Sequence, residues 1–180
     1  RVSGLKDNQA YADFLSRTFS GAPPALSSLR PGFTRRAPGK GFSYSNLGYG
    51  LIGTLVEKPS GDRFGDYAKR HIFDPLGMKA SFAAADLPDI ERLAALYLWK
   101  RGAWRAQADD FRGRRPKSLV PPRYKPGHNG IVYAPHGGIR VSVLDLSKLL
   151  RALMANGTHG KGRILKEKTV RLMREPQWVV

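Results

Sequence analysis

Apolar positions along this chain follow two different spacings, and each marks a different kind of element. Tyr11, Phe14 and Leu15 lie at helical spacing and Phe19 continues the stripe, which predicts a helix over 8–19. Gly21 and Pro23-Pro24 stop it, and the proline- and glycine-bearing stretch 25–40 reads as a long loop. Leu47, Leu51 and Leu55 with Ile52 and Val56 form i, i+4 rows, predicting a helix over 47–58 with those rows buried and Pro59 as its end. Its glycines, Gly48, Gly50 and Gly53, each cost about 1 kcal/mol against alanine, so a neighbour pressed against the helix backbone is expected. Ser60-Gly61-Asp62 offers an N-cap to a further helix that buries Phe64, Tyr67, Ala68 and Ile72, and Pro75-Leu76-Gly77-Met78 terminates it.

The period changes at Leu96-Tyr97-Leu98-Trp99 and Ala103-Trp104-Arg105. These runs flank Lys100-Arg101-Gly102 and predict a β-hairpin. The stretch 108–135 holds many prolines and charges and reads as a long basic loop. Ser142-Val143-Leu144-Asp145 has the form of a capping box. It opens a helix with Leu146, Leu149, Leu150, Leu153 and Met154 on its expected buried face, and Asn156-Gly157 closes it. A short helix over 166–174 is expected to bury Val170, Leu172 and Met173 before Pro176. The prediction is a mainly α chain with a small β-hairpin and no internal repeat.

Length and composition narrow the class. A chain of 180 residues is about one domain, and an apolar share of 41% is that of a globular protein rather than a disordered one. No apolar run of about 18 residues is present, so no membrane-spanning helix is expected. The opening Arg1-Val2-Ser3-Gly4-Leu5-Lys6 has no apolar signal region. A start without Met and an apolar end at Gln177-Trp178-Val179-Val180 suggest a piece of a longer protein. With no cysteine, the chain has no disulfide, thiolate metal site or thiol nucleophile.

Charge adds a rival reading. Thirty-one basic residues against 14 acidic ones give +17. Such a balance suits a nucleic acid or other polyanion, or simply a solvated basic surface. The basic residues are scattered, and the densest cluster, Arg112-Gly113-Arg114-Arg115-Pro116-Lys117, lies in the expected loop.

Metal chemistry has little to work with. His71, His128, His136 and His159 include no i, i+4 pair and no HExxH, and no phosphate-binding glycine loop occurs. Ser3-Gly4-Leu5-Lys6 matches Ser-x-x-Lys by letters, a pattern that sets a hydroxyl one helical turn from an amine able to take its proton. Glycine at that place works against the helix the pattern needs. Tyr44-Ser45-Asn46 is the stronger element: a tyrosine beside a lysine can act as general base, and an asparagine amide two residues on can orient the lysine and hold a substrate carbonyl. By itself the triplet also reads as a turn, with Asn46 capping the following helix.

The wider stretch decides between them. Pro38-Gly39-Lys40-Gly41-Phe42-Ser43-Tyr44-Ser45-Asn46-Leu47-Gly48-Tyr49-Gly50-Leu51-Ile52-Gly53 closely resembles the second motif region of the serine β-lactamase-like family, which includes class C β-lactamases, D-alanyl-D-alanine carboxypeptidases and family VIII esterases. Other stretches resemble the family in the same order. Arg1-Val2-Ser3-Gly4-Leu5 is similar to its His-Thr-Ser-Gly-Leu segment, and Ile72-Phe73-Asp74-Pro75-Leu76-Gly77-Met78 to its Ile-Phe-Glu-Pro-Leu-Gly-Met run. Pro135-His136-Gly137-Gly138-Ile139 through Asp145-Leu146, and the stretch from Leu165 to Gln177, follow suit, with Lys166 where a capping serine is usual.

The resemblance implies a serine hydrolase acting through an acyl-enzyme on a β-lactam, a D-Ala peptide or a carboxylic ester. Tyr44 would be its general acid/base, with Asn46 and Ser45 binding substrate; no metal or organic cofactor is implied. It implies that 1–180 is the helical domain of a β-lactamase/transpeptidase-like α/β fold. The Ser-x-x-Lys helix would precede Arg1 and the Lys-Thr-Gly-type strand would follow Val180, so the flanking segments are themselves expected partners and the chain alone is expected to be inactive. The loop arginines 112–115 become decoration that binds DNA only non-specifically. A bacterial compartment, periplasmic or cytoplasmic, is left open. The rivals are a basic helical polyanion-binding domain and a non-catalytic family member that binds peptidoglycan peptide.

Overall fold

The computed structural model describes residues 37, 39–42, 44, 46–118, 120, 123–127 and 137–176. The helix expected over 8–19 lies outside them. Four α-helices and two small antiparallel sheets are present among the described residues.

Helix α1, Asn46–Ser60, runs one residue past Pro59. Gly61 ends it, taking φ +72° and donating its amide to the Glu57 carbonyl at 2.9 Å. The face α1 buries is not the aliphatic one. Gly50, Gly53, Thr54 and Glu57, at i, i+3, i+4 and i+7, are buried, whereas Ile52 and Leu55 stand out in solvent. Small residues let neighbouring backbone come close, and Thr54 hides its hydroxyl on the Gly50 carbonyl at 3.0 Å. The 123–127 segment comes close at the far end of α1, beside Glu57 and Lys58. A Cβ on Gly127 (φ +84°) would lie 2.9 Å from the Lys58 Cα.

Helix α2, Phe64–Ala68, is capped from a distance. Its Arg63 N-cap supplies no side-chain bond, and the Ser60-Gly61-Asp62 cap expected from sequence does not form. Glu57 Oε1 accepts the Phe64 amide instead, at 2.9 Å, while Asp62 pairs with Arg70. A π turn, Lys69–Phe73, continues α2, with the Asp74 amide reaching the Lys69 carbonyl at 2.8 Å. That wider turn and the bend at Gly77 swing Phe73, Leu76 and Met78 into the main core with Ala68, Ala80 and Ala152. A second small cluster, Ala84, Leu87 and Ile90, sits around two 3₁₀ turns.

The hairpin forms where alternation predicted it. Strand β1, Leu96–Lys100, pairs with β2, Ala103–Ala108, around Arg101 and Gly102, both at positive φ. All of β1 and all but Ala108 of β2 are exposed.

Helix α3, Val143–Met154, starts as the capping pattern requires: the Ser142 hydroxyl accepts the Asp145 amide at 3.1 Å. Ala152 is its buried residue and Leu149 packs against the core. The expected leucine face is only partly used, since Leu146, Leu150 and Met154 remain exposed. Asn156 and Gly157 turn the chain at positive φ, and a Cβ on Gly157 would meet the Leu165 carbonyl oxygen at 2.1 Å, so glycine is required there. After the two-residue strands β3, Thr158–His159, and β4, Gly162–Arg163, helix α4, Glu167–Arg174, buries Val170 but leaves Leu172 and Met173 exposed. Lys166 at its N-cap makes no side-chain cap bond, as suits a residue without an acceptor.

Candidate active site

Tyr44 sits two residues ahead of the first residue of α1, at a loop-to-helix junction, and its side chain is 68% exposed. Its ring lies against Tyr49 on α1, with centroids 6.3 Å apart and planes tilted by 45°. Asn46 opens α1. Ser45 lies outside the described residues, as do Ser3, Lys6, His128 and His136. The junction is stiffened from behind: α1 is held at its far end by Glu57, which is 1% exposed.

Glu57 gathers three donors. Its Oε1 takes the Phe64 amide; its Oε2 takes the Gly127 amide at 2.9 Å and a short bond from the Tyr124 hydroxyl. One buried carboxylate thus joins α1, α2 and the 123–127 segment, with every bond charge-assisted. Sequence reading missed it. The available signal was that Glu57 is the sole acid in α1 and shares the small-residue row with Gly50, Gly53 and Thr54.

A cavity of about 250 Å³ opens beside Glu57, between Arg63, Phe64, Lys69, Phe82 and Val120; Tyr44 does not line it. Arg63 is occupied there by a bidentate pair with Asp66, at 2.6 and 2.8 Å, which raises its pKa against the opposing effect of burial.

Arg140 is the second organising side chain, also unanticipated. It grips Asp109 through two bonds, at 3.0 and 2.8 Å, and donates to the Phe82 and Gly138 carbonyls. Asp109 holds a positive φ of 62°, an uncommon conformation that this fork fixes. Arg115 is not decoration. Its guanidinium donates to the carbonyls of Ala85 and Leu87 at 2.6 Å and Pro88 at 3.3 Å, pinning the basic loop to the small cluster. Among the described residues no group of three or more His, Asp or Glu side chains is arranged to hold a metal ion. Nor is any described helix long and apolar enough to cross a membrane.

Comparison with known proteins joins these parts. The pattern of the family described as Beta-lactamase matches residues 2–179, and the chain belongs to that family, a serine-hydrolase-type group. A 41-residue stretch is 46% identical to "Penicillin-binding protein 4*" of Bacillus subtilis (strain 168). The match takes in 23% of this chain and only 9% of that protein's length.

Proposed function

We propose that the chain forms the helical part of a β-lactamase-like serine hydrolase that opens a β-lactam, a D-Ala peptide or an ester through an acyl-enzyme. The observation that carries the reading is the family match over residues 2–179, which spans Tyr44-Ser45-Asn46. The exposed apolar residues of α1 and α3, Ile52, Leu55, Val143, Leu150 and Met154, support it, because they suit the packing of further segments of one fold.

In this reading a serine Oγ, supplied by a Ser-x-x-Lys turn, attacks the substrate carbonyl carbon. Its proton passes by way of Tyr44 to the leaving nitrogen or oxygen as the carbonyl–heteroatom bond breaks. Water then attacks the acyl-enzyme carbonyl and gives its proton to Tyr44, which passes it to the serine Oγ as the acyl–Oγ bond breaks and the acid is released. Asn46 holds the lysine and the acyl amide, and Ser45 lines the substrate's path. Tyr44 stands at the open end of α1, where an incoming substrate can reach it.

The test is a longer chain carrying the flanking segments. Tyr44→Phe there should lower kcat by about 10²–10⁴, the contribution of a positioned proton carrier, with intact folding. Unchanged turnover would overturn the assignment of Tyr44.

A further inference from the structure

The β1–β2 hairpin buries neither of its faces. Cross-strand pairing places Trp99 opposite Trp104 and Tyr97 opposite Ala106, so three aromatic rings share one face. Their exposures are 53% for Tyr97, 56% for Trp99 and 67% for Trp104. The other face carries Leu98 opposite Arg105 and Lys100 opposite Ala103, and the tip carries Arg101. From Leu93 to Ala108 the chain holds three cations and no acidic residue. None of those cations makes an ion pair among the described residues. A lone two-stranded hairpin is marginal in water, so a surface that takes up its rings also stabilises its fold.

We infer that this hairpin is a peripheral docking element for an anionic lipid surface. Tryptophan and tyrosine favour the headgroup layer, where the ring is apolar and the N–H or O–H stays wet. With the tip leading, Arg101 enters the headgroup layer beside the rings, and Lys100 and Arg105, on the opposite face, bring their charges to lipid phosphates by their long stems. The unpaired edges of β1 and β2 still meet water at this depth, so docking is shallow and needs no span. The pattern favours lipid over nucleic acid. Leu96 and Leu98 are exposed too, and aliphatic side chains offer bases no stacking platform. The Trp99 and Trp104 rings pack edge to face, with centroids 5.3 Å apart, rather than as parallel plates with room for a base.

The experiment uses the full chain in a Trp178→Phe background, leaving Trp99 and Trp104 as the fluorophores. Vesicles of phosphatidylcholine alone are compared with an equal mixture of phosphatidylcholine and phosphatidylglycerol. The mixed vesicles should shift tryptophan emission to the blue and carry the chain down on sedimentation; the neutral ones should do neither. Charge reversal at Lys100, Arg101 and Arg105 to Glu should weaken partitioning by at least about a hundredfold, at about fivefold for each cation lost. That variant keeps both tryptophans, so the exciton band of the paired rings shows whether the hairpin is still folded. A control of equal net charge, with Lys125→Glu, Lys161→Glu and Lys168→Glu, should lose far less. Equal losses in the two variants would overturn the inference, because total charge alone would then explain binding. So would an emission shift with a single-stranded oligonucleotide and none with mixed vesicles.

Discussion

The Glu57 carboxylate accepts the Gly127 amide at 2.9 Å across 70 residues of chain, and it does so with almost no exposure to water. Gly127 can come this close only because it lacks a Cβ, since the Lys58 backbone occupies that space. Three separate segments therefore depend on one side chain.

Glu57→Gln should destabilise the chain by about 1–3 kcal/mol, the cost of leaving a buried donor without an acceptor. Glutamine keeps one acceptor oxygen, and its amide nitrogen would face a backbone N–H or the Tyr124 hydroxyl. Tyr124→Phe removes a donor rather than the acceptor and should cost less, about 1 kcal/mol. Urea unfolding of both variants checks the order. Tyr124→Phe proving the costlier change would show that the carboxylate is not the centre of this junction.

Arg140→Lys should be nearly as damaging as Arg140→Ala. An ammonium cannot span both Asp109 oxygens and also reach the Phe82 and Gly138 carbonyls, as the guanidinium does. The expected loss is about 2 kcal/mol by thermal or urea unfolding, for a partly buried charge-assisted fork. Full stability in the lysine variant would mean that charge alone suffices at this position.

The chain's pattern foretold elements better than faces. Alternation and Arg101-Gly102 located the hairpin, and Ser142 with Asn156-Gly157 located α3, because turn and cap chemistry is local. Which side of a helix is buried depends on what packs there. On α1 a leucine row competed with a glycine row whose one acid, Glu57, argued for exposure, and the glycine row won because distant donors satisfy Glu57. Leu172 and Met173 stay exposed for the same reason: α4 is short, and Val170 is its buried residue. Tyr44-Ser45-Asn46, the proposed site, stood out as a motif, while the structural roles of Arg140 and Glu57 were not legible, since their partners lie far along the chain.

Asp145 should make stability fall at low pH. The hydrogen bond from Lys148 holds its pKa below the ordinary carboxylate value, helped by the Ser142 hydroxyl and opposed by burial. A carboxylate with a lowered folded-state pKa contributes stability that is present above its unfolded pKa near about 4 and is lost as pH falls through the folded value. Lys148→Met should bring the Asp145 titration, followed by NMR of its carboxyl carbon, back up toward the ordinary range and flatten the acid limb of the stability curve. An unmoved titration would assign the shift to the Ser142 cap instead.

The 180-residue chain alone should not turn over a chromogenic β-lactam or a p-nitrophenyl ester. In the proposed reading Tyr44 and Asn46 supply one part of the site, and the Ser-x-x-Lys nucleophile pair comes from another segment. Loss of a nucleophile and its base costs on the order of 10⁶-fold in kcat, which leaves only the weak effects of binding. Ser3 and Lys6 offer the one local substitute. The assay therefore sets the chain beside Ser3→Ala and Tyr44→Phe. Turnover that Ser3→Ala abolishes would make Ser3-Gly4-Leu5-Lys6 the nucleophilic turn and overturn the reading of the chain as one part of a larger active site. Silence here, with activity in the longer chain that Tyr44→Phe cripples, is the outcome expected if the nucleophile pair and the Lys-Thr-Gly-type strand both come from flanking segments.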